Sequence, residues 1–132
     1  RKVVNVSSVS GLYGAATQLA YSAAKASMIG ITRSLAKEWG RYRVNVNCVA
    51  FGWIDTRLTH PYEEVPDTIE VKGRQMKVGL DPGIASMMHM LIPLGRAGTP
   101  EEGAGAVYLF CIPESDYISG QILVCGGGGL LL

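Results

Sequence analysis

Two short runs rich in β-branched residues, Val3-Val4-Asn5-Val6-Ser7 and VNVNCVA over residues 44–50, flank one long helical pattern over residues 17–39. No other feature constrains the fold as much. Such runs, bounded by turn-forming residues, read as strands. Between them, Leu19, Ala23, Ala26, Ile29, Gly30, Leu35 and Ala36 recur at three- and four-residue intervals, with Ala and Lys supplying helix propensity. Strand, helix and strand in that order form the unit of a parallel sheet, because parallel strands need a long crossover, and its connection should be right-handed. The expected class is α/β.

Local signals outline the rest. Ser7-Ser8-Val9-Ser10-Gly11 reads as a loop at the carboxyl end of the first strand, and Phe51-Gly52 opens another after the second. Residues 55–95 are the least regular part, with a small hairpin suggested over residues 69–78, turning near Lys72-Gly73. Asp81-Pro82 starts a helix that Pro93 stops. Thr99-Pro100-Glu101-Glu102 is a capping box before a helix running to about Cys111. Residues 121–125 form a last strand, and Gly126 to Gly129 reads as a flexible tail because no helix follows to face a phosphate.

Composition excludes several partners. Twelve basic and eleven acidic side chains give a net charge of +1, with no basic block to follow a nucleic acid or an anionic membrane. No apolar run approaches the ~18 residues of a membrane span, so a soluble protein is expected, and the unpaired cysteines suit a cytoplasmic one. Cys48, Cys111 and Cys125 form no CxxC pair and read as reduced structural thiols. His60 and His89 lie far apart in sequence and from any cysteine, so no metal site is expected and neither receives a role. The chain opens on Arg1-Lys2 without an initiator methionine or leader, so its start is expected to be cut.

The chemistry lies at the start of the long helix. Tyr21 and Lys25 are four apart, so their side chains leave one face; alone, that is an ordinary exposed helix pair. Ser8 stands thirteen residues before Tyr21, at the strand end where ligands of open parallel sheets bind. Carbonyl reduction needs a proton donor for the developing alkoxide, a cation beside that donor and a group that fixes the carbonyl. Tyr21, Lys25 and Ser8 supply these three.

Asn5-Val6-Ser7-Ser8 with Tyr21-Ser22-Ala23-Ala24-Lys25 resembles the catalytic core of the short-chain dehydrogenases/reductases. Residues 43–56, Ile92-Pro93-Leu94-Gly95-Arg96, Thr99-Pro100-Glu101-Glu102 and Tyr117-Ile118-Ser119-Gly120-Gln121 resemble later signatures of that family. The resemblance implies one partial domain over residues 1–132, the carboxy-terminal half of a Rossmann-type doubly wound parallel sheet, with residues 58–95 as its substrate-loop region. It further implies that Tyr21 is the general acid/base. Lys25 would favour its ionised form and contact the nicotinamide ribose, and Ser8 would orient the carbonyl. Main-chain groups at Gly52, Trp53 and Ile54, with Thr56, would hold the carboxamide; for Thr56 a turn cap remains the alternative.

The implied cofactor is NAD or NADP, with NADP favoured, and the substrate a small carbonyl or alcohol, 3-oxoacyl thioesters being the nearest resemblance. A homodimer or homotetramer is implied, paired through the long helix. Two positions depart from the family: Phe51 stands where Pro is usual, adding bulk beside the nicotinamide loop, and Gly126 where Asp or Asn is common. No glycine-rich strand-to-helix turn is present to cradle a pyrophosphate, so the nucleotide-binding half is expected to be missing and the 132-residue stretch alone inactive. The alternative function is a non-catalytic structural or interaction module. Residues 58–91 are expected to form a mobile lid with Gly73, Gly79 and Gly83 as hinges, or else a fixed insertion packed by Val71, Met76, Val78 and Met87.

Overall fold

In a computed structural model, residues 1–60, 68–77, 79 and 81–129 are described. The element order is β1 (Lys2–Ser8), α1 (Val9–Tyr13), α2 (Leu19–Trp39), β2 (Asn45–Phe51), β3 (Thr68–Val71), β4 (Arg74–Lys77), α3 (Pro82–Leu91), α4 (Pro100–Tyr108) and β5 (Ile122–Cys125). Short 3-10 turns occupy Gly40–Tyr42 and Pro113–Ser115. β1 and β2 pair in parallel, from Lys2 opposite Asn45 to Ser8 opposite Phe51, and β5 joins the other side of β2, again in parallel. The three-stranded order is β1-β2-β5, the α/β arrangement expected.

β2 is central because its sequence can be buried on both faces. Val46, Cys48, Val49 and Ala50 are fully buried; burying a valine side chain contributes about 1.5–3 kcal/mol. Asn47 is equally buried, and its amide is satisfied: Nδ2 donates to the Ile118 carbonyl at 2.9 Å and Oδ1 accepts from the Gln121 N–H at 3.0 Å. Asn45 donates to the carbonyls of Asp116 and Ile118. The two asparagines of VNVN thus fasten the segment that leads into β5. On one side of the sheet Val49 packs with Ala106 and Phe110, joined by Val4, Phe51, Val107, Leu123 and Cys125. Burial pushes the thiols of Cys48 and Cys125 up, the latter with help from the negative charge of Glu102.

Several expectations need correction. Ser7 and Ser8 belong to β1, and Val9–Tyr13 is a one-turn helix rather than a loop, because the Ser8 side chain caps it. α2 begins at Leu19, since Thr17 has φ +69°, a left-handed conformation no helix contains. Its inward face is also different. Thr32 is its buried residue, and Ser22, Lys25, Met28, Ile29, Leu35 and Ala36 share that half-buried stripe, whereas Leu19, Ala23, Ala26 and Gly30 are exposed. α4 stops at Tyr108, short of Cys111. Gly126 to Gly129 is no free tail: Gly127 accepts from the Leu94 N–H at 3.2 Å, and Gly129 is buried. Gly127 and Gly128 have φ of +62° and +81°, and a Cβ on Gly127 would lie 2.8 Å from Ile92.

The hairpin forms as the sequence suggests, β3 antiparallel to β4 around Lys72 and Gly73 at φ +52° and +76°. Val78 lies outside the described residues. Asp81 caps α3 through the N–H groups of Gly83 and Ile84, which puts Gly83 in a helical first turn rather than at a hinge. Thr99 and Glu102 close the capping box on α4.

Candidate active site

Ser8, the last residue of β1, accepts from the Ser10 N–H at 3.2 Å, which leaves its hydroxyl proton to donate. Tyr21 lies in the first turn of α2, half-exposed at 48%. One turn on, Lys25 reaches back so that Nζ stands 5.8 Å from the centre of the Tyr21 ring and donates to the Val6 carbonyl at 3.3 Å. Two of the three ammonium protons remain for other acceptors. The amino-terminal turns of α2 therefore set a phenol beside an ammonium anchored on β1, and the carboxyl end of that strand carries the Ser8 hydroxyl two residues beyond the anchor.

Sequence reasoning missed what holds them. The Ser7 hydroxyl donates to the Lys25 carbonyl at 2.7 Å, and Ser7 is 2% exposed. A Cβ on Gly11 would stand 2.6 Å from the Lys25 carbonyl carbon and 2.8 Å from the Ala26 nitrogen, so α1 meets α2 backbone to backbone. Farther along, Asn5 Nδ2 donates to Thr32 Oγ1 at 2.9 Å, and Thr32 donates to the Met28 carbonyl at 2.7 Å. One signal could have found the serine and asparagine: alternation along a strand puts Asn5 and Ser7 on one face, toward the helix that follows.

After β2 the chain turns sharply. The Gly52 N–H donates to the Cys125 carbonyl at 2.9 Å, and a Cβ on Gly52 would lie 2.8 Å from the Gly126 α-carbon. A side chain at residue 126 would instead meet ordinary contacts near 3.6 Å. Phe51 does not crowd the loop, as its position in the sequence had suggested: its ring packs into the core, where a Cβ on Gly103 of α4 would come within 3.3 Å of it. The carbonyls of Trp53 and Ile54 accept from the Gly98 N–H and from Thr59 Oγ1, while the Ile54 N–H has no acceptor among the described residues. Thr56 opens a turn through its backbone, with its carbonyl accepting from the N–H groups of Thr59 and His60, and the hydroxyl that closes the turn is that of Thr59.

His60 and His89, remote in sequence, line one cleft of about 440 Å³ with Trp53, Thr59, Ala85 and Arg96. His60 Nε2 lies 2.6 Å from Asp55 Oδ1, and the His89 ring meets Trp53 edge-on at 6.5 Å. Beside them Arg96 makes a two-pronged ion pair with Glu102, at 2.6 and 2.7 Å. That guanidinium, with the Thr99 N–H, holds the Glu102 carboxyl down at about 2, and the pair raises Arg96 in turn. Among the described residues no cluster of three or more His, Cys, Asp or Glu side chains is gathered, and no helix is long and apolar enough to cross a membrane.

Comparisons with known proteins fit this geometry. A family profile described as Enoyl-(Acyl carrier protein) reductase matches residues 1–129. The 3-oxoacyl-acyl-carrier-protein reductases FabG of Chlamydia muridarum and of Thermotoga maritima are each 39% identical over 126 residues, covering 96% of this chain and 44% of theirs. The chain thus spans less than half the length of these relatives. A crystal structure of a short chain dehydrogenase from Bacillus anthracis superposes with a TM-score of 0.77 at 31% identity, over 99% of this chain and 45% of that one.

Proposed function

Since the chain belongs to the short-chain dehydrogenase/reductase family, we propose that it carries the reacting residues of a nicotinamide-dependent oxidoreductase interconverting a ketone and a secondary alcohol. The substrate class is a 3-oxoacyl thioester, from the names of its relatives. The observation that carries the reading is the half-exposed Tyr21 phenol with the Lys25 ammonium held beside it.

In this reading Tyr21 Oη donates its proton to the carbonyl oxygen as negative charge develops there, and takes it back in the reverse direction. Lys25, fixed by the Val6 carbonyl, places a positive charge beside the Tyr21 ring, where it offsets the negative charge that the transfer leaves behind. Ser8 donates its remaining proton to the same carbonyl and so fixes its orientation. NAD or NADP, the latter favoured by the family resemblance alone, supplies the hydride when bound. Residues present fit such a group: the unmatched Ile54 N–H and the Thr56 side chain would hold the carboxamide, and the spare protons of Lys25 the ribose. Gly52 and Trp53 act by shaping that loop, since the Gly52 N–H and the Trp53 carbonyl already have partners in the fold.

Residues 58–95 are the substrate-facing part. Val71, Met76 and Met87, which would anchor a fixed insertion, are 43–54% exposed, as Ile69 and Met90 are also exposed; this supports a movable apolar wall suited to an acyl chain. The exposed small-residue side of α2, where a Cβ on Gly30 would meet nothing within 4 Å, supports a homo-oligomer. Gly30→Trp should shift the particle toward monomer in light scattering; an unchanged mass would remove this role.

The test is a spectrophotometric assay of the intact protein with NADPH or NADH and a series of 3-oxoacyl thioesters and simple ketones. Saturable turnover with the thioesters is expected. The second reading, a structural module, draws on the outer edge of β1, unpaired among the described residues, and predicts oligomers that neither bind nucleotide nor turn over.

A further inference from the structure

We propose that Ser7 and Gly11 are positioning residues for the reaction, which together set the height and spacing of α2 against β1 and so aim the Lys25 side chain. The inference rests on the reading of Lys25 as the cation beside Tyr21. Both contacts fall on the same stretch of backbone. The Ser7 hydroxyl grips the Lys25 carbonyl at 2.7 Å, and Gly11 lies against the carbonyl carbon of Lys25 and the nitrogen of Ala26, so close that a Cβ would stand 2.6 and 2.8 Å away. These are backbone atoms, which cannot step aside as the end of a flexible side chain can. The helix rises about 1.5 Å per residue, so a slip of one residue along its axis would break both contacts.

Lys25 is therefore held twice, by its backbone from Ser7 and Gly11 and by its side chain from the Val6 carbonyl. The strand residue that grips it directly precedes Ser8, so the same two residues tie the carbonyl-orienting hydroxyl to the ammonium. By contrast, the tie from Asn5 through Thr32 to Met28 joins the same strand and helix two turns farther on without touching Lys25. The fold thus contains an internal control: one attachment bears on the cation and the other only on the packing.

The test compares Ser7→Ala, Gly11→Ala and Thr32→Val in the intact protein, measuring kcat, KM, the pH profile of kcat, melting temperature, and hydrogen exchange along α2. Ser7→Ala is expected to lower kcat about tenfold, less than the ~100-fold that a misplacement of about 1 Å can carry, and to move the midpoint of the pH profile. KM for the carbonyl substrate should change little, and exchange should quicken at the amides of residues 21–29, including Ile29, whose N–H shares the Lys25 carbonyl. Thr32→Val should lower the melting temperature while leaving kcat and the midpoint unchanged. Gly11→Ala should exceed Ser7→Ala; if it does not fold, Ser7→Ala decides. Wild-type kcat and pH profile in Ser7→Ala, or the same changes in Thr32→Val, would overturn the inference. Absence of turnover in the wild type would instead refute the proposed function, and exchange alone would then decide: no acceleration at residues 21–29 in Ser7→Ala overturns the positioning role, and acceleration there sustains it.

Discussion

Between β1 and α2, polar side chains cross from one element to the other's partners: Ser7 to the Lys25 carbonyl, Asn5 to Thr32, Lys25 to the Val6 carbonyl. Between β3 and β4 the strands pair only with each other among the described residues, and Ile69, Val71 and Met76 keep their apolar surface exposed. The first region has its backbone positions fixed by several contacts, which suits the proton transfer proposed there; the second has few contacts to hold it, which suits the proposed substrate wall. On the proposed function, the first region does the chemistry and the second chooses the substrate.

The largest blow to the fastened region short of the acid itself should come from Lys25→Met, which keeps most of the length of the side chain and removes its charge. We expect kcat to fall by about 10²–10³-fold, the scale of losing one preorganised electrostatic donor, and cofactor affinity to weaken as well. If steady-state kinetics and cofactor titration both matched wild type, the contrast would lose its chemical half.

A smaller effect should come from the exposed region. Replacing residues 69–78 by a tight turn should change the ratio of kcat/KM between small and bulky ketones by about tenfold, near 1.4 kcal/mol, while Tyr21-dependent turnover survives. Equal losses on every substrate together with a lower melting temperature would make this segment a structural insertion.

The smallest concerns α4. The carboxyl of Glu102 is held at about 2, against an ordinary value of 4.5, by Arg96 and the Thr99 N–H. A lowered value in the folded state means that the charged pair stabilises fully above pH 4.5 and that this contribution is lost as pH falls toward about 2. The melting-temperature gap between wild type and Glu102→Gln should therefore be constant above pH 4.5 and close toward pH 2. A gap that persists unchanged at the acid end would show that the Glu102 charge is not what sets it, since glutamine can still close the capping box.

Features written in a few neighbouring residues are legible in the sequence. The Lys72-Gly73 turn, the Asp81 cap and the Thr99–Glu102 box each depend on local hydrogen bonds, and Tyr21 and Lys25 meet because helix geometry places residues four apart on one face. What escapes depends on partners distant in the chain. Counting apolar residues assigns Leu19 and Ala23 to the inner face of α2, because Thr32, Ser22 and Lys25 look like surface residues until β1 supplies hydrogen bonds or packing. A five-residue helix is too short to show a period, so α1 is hidden behind its Ser8 cap. The glycines of residues 126–129 look free because Ile92 and Leu94, which they pack against, are more than thirty positions away. Phe51 looks intrusive beside its loop for the same reason: Gly103, which makes room for its ring, comes from α4.

The measurement that bears most directly on the fastened region as the seat of the chemistry is a side-by-side determination of kcat and cofactor dissociation constant for wild type and Tyr21→Phe. The substitution removes one proton donor and almost no volume, and the half-exposed ring leaves the surrounding packing intact. Turnover should fall by at least about 100-fold while the dissociation constant stays within about twofold. A variant that keeps most of the wild-type kcat would contradict the role of Tyr21.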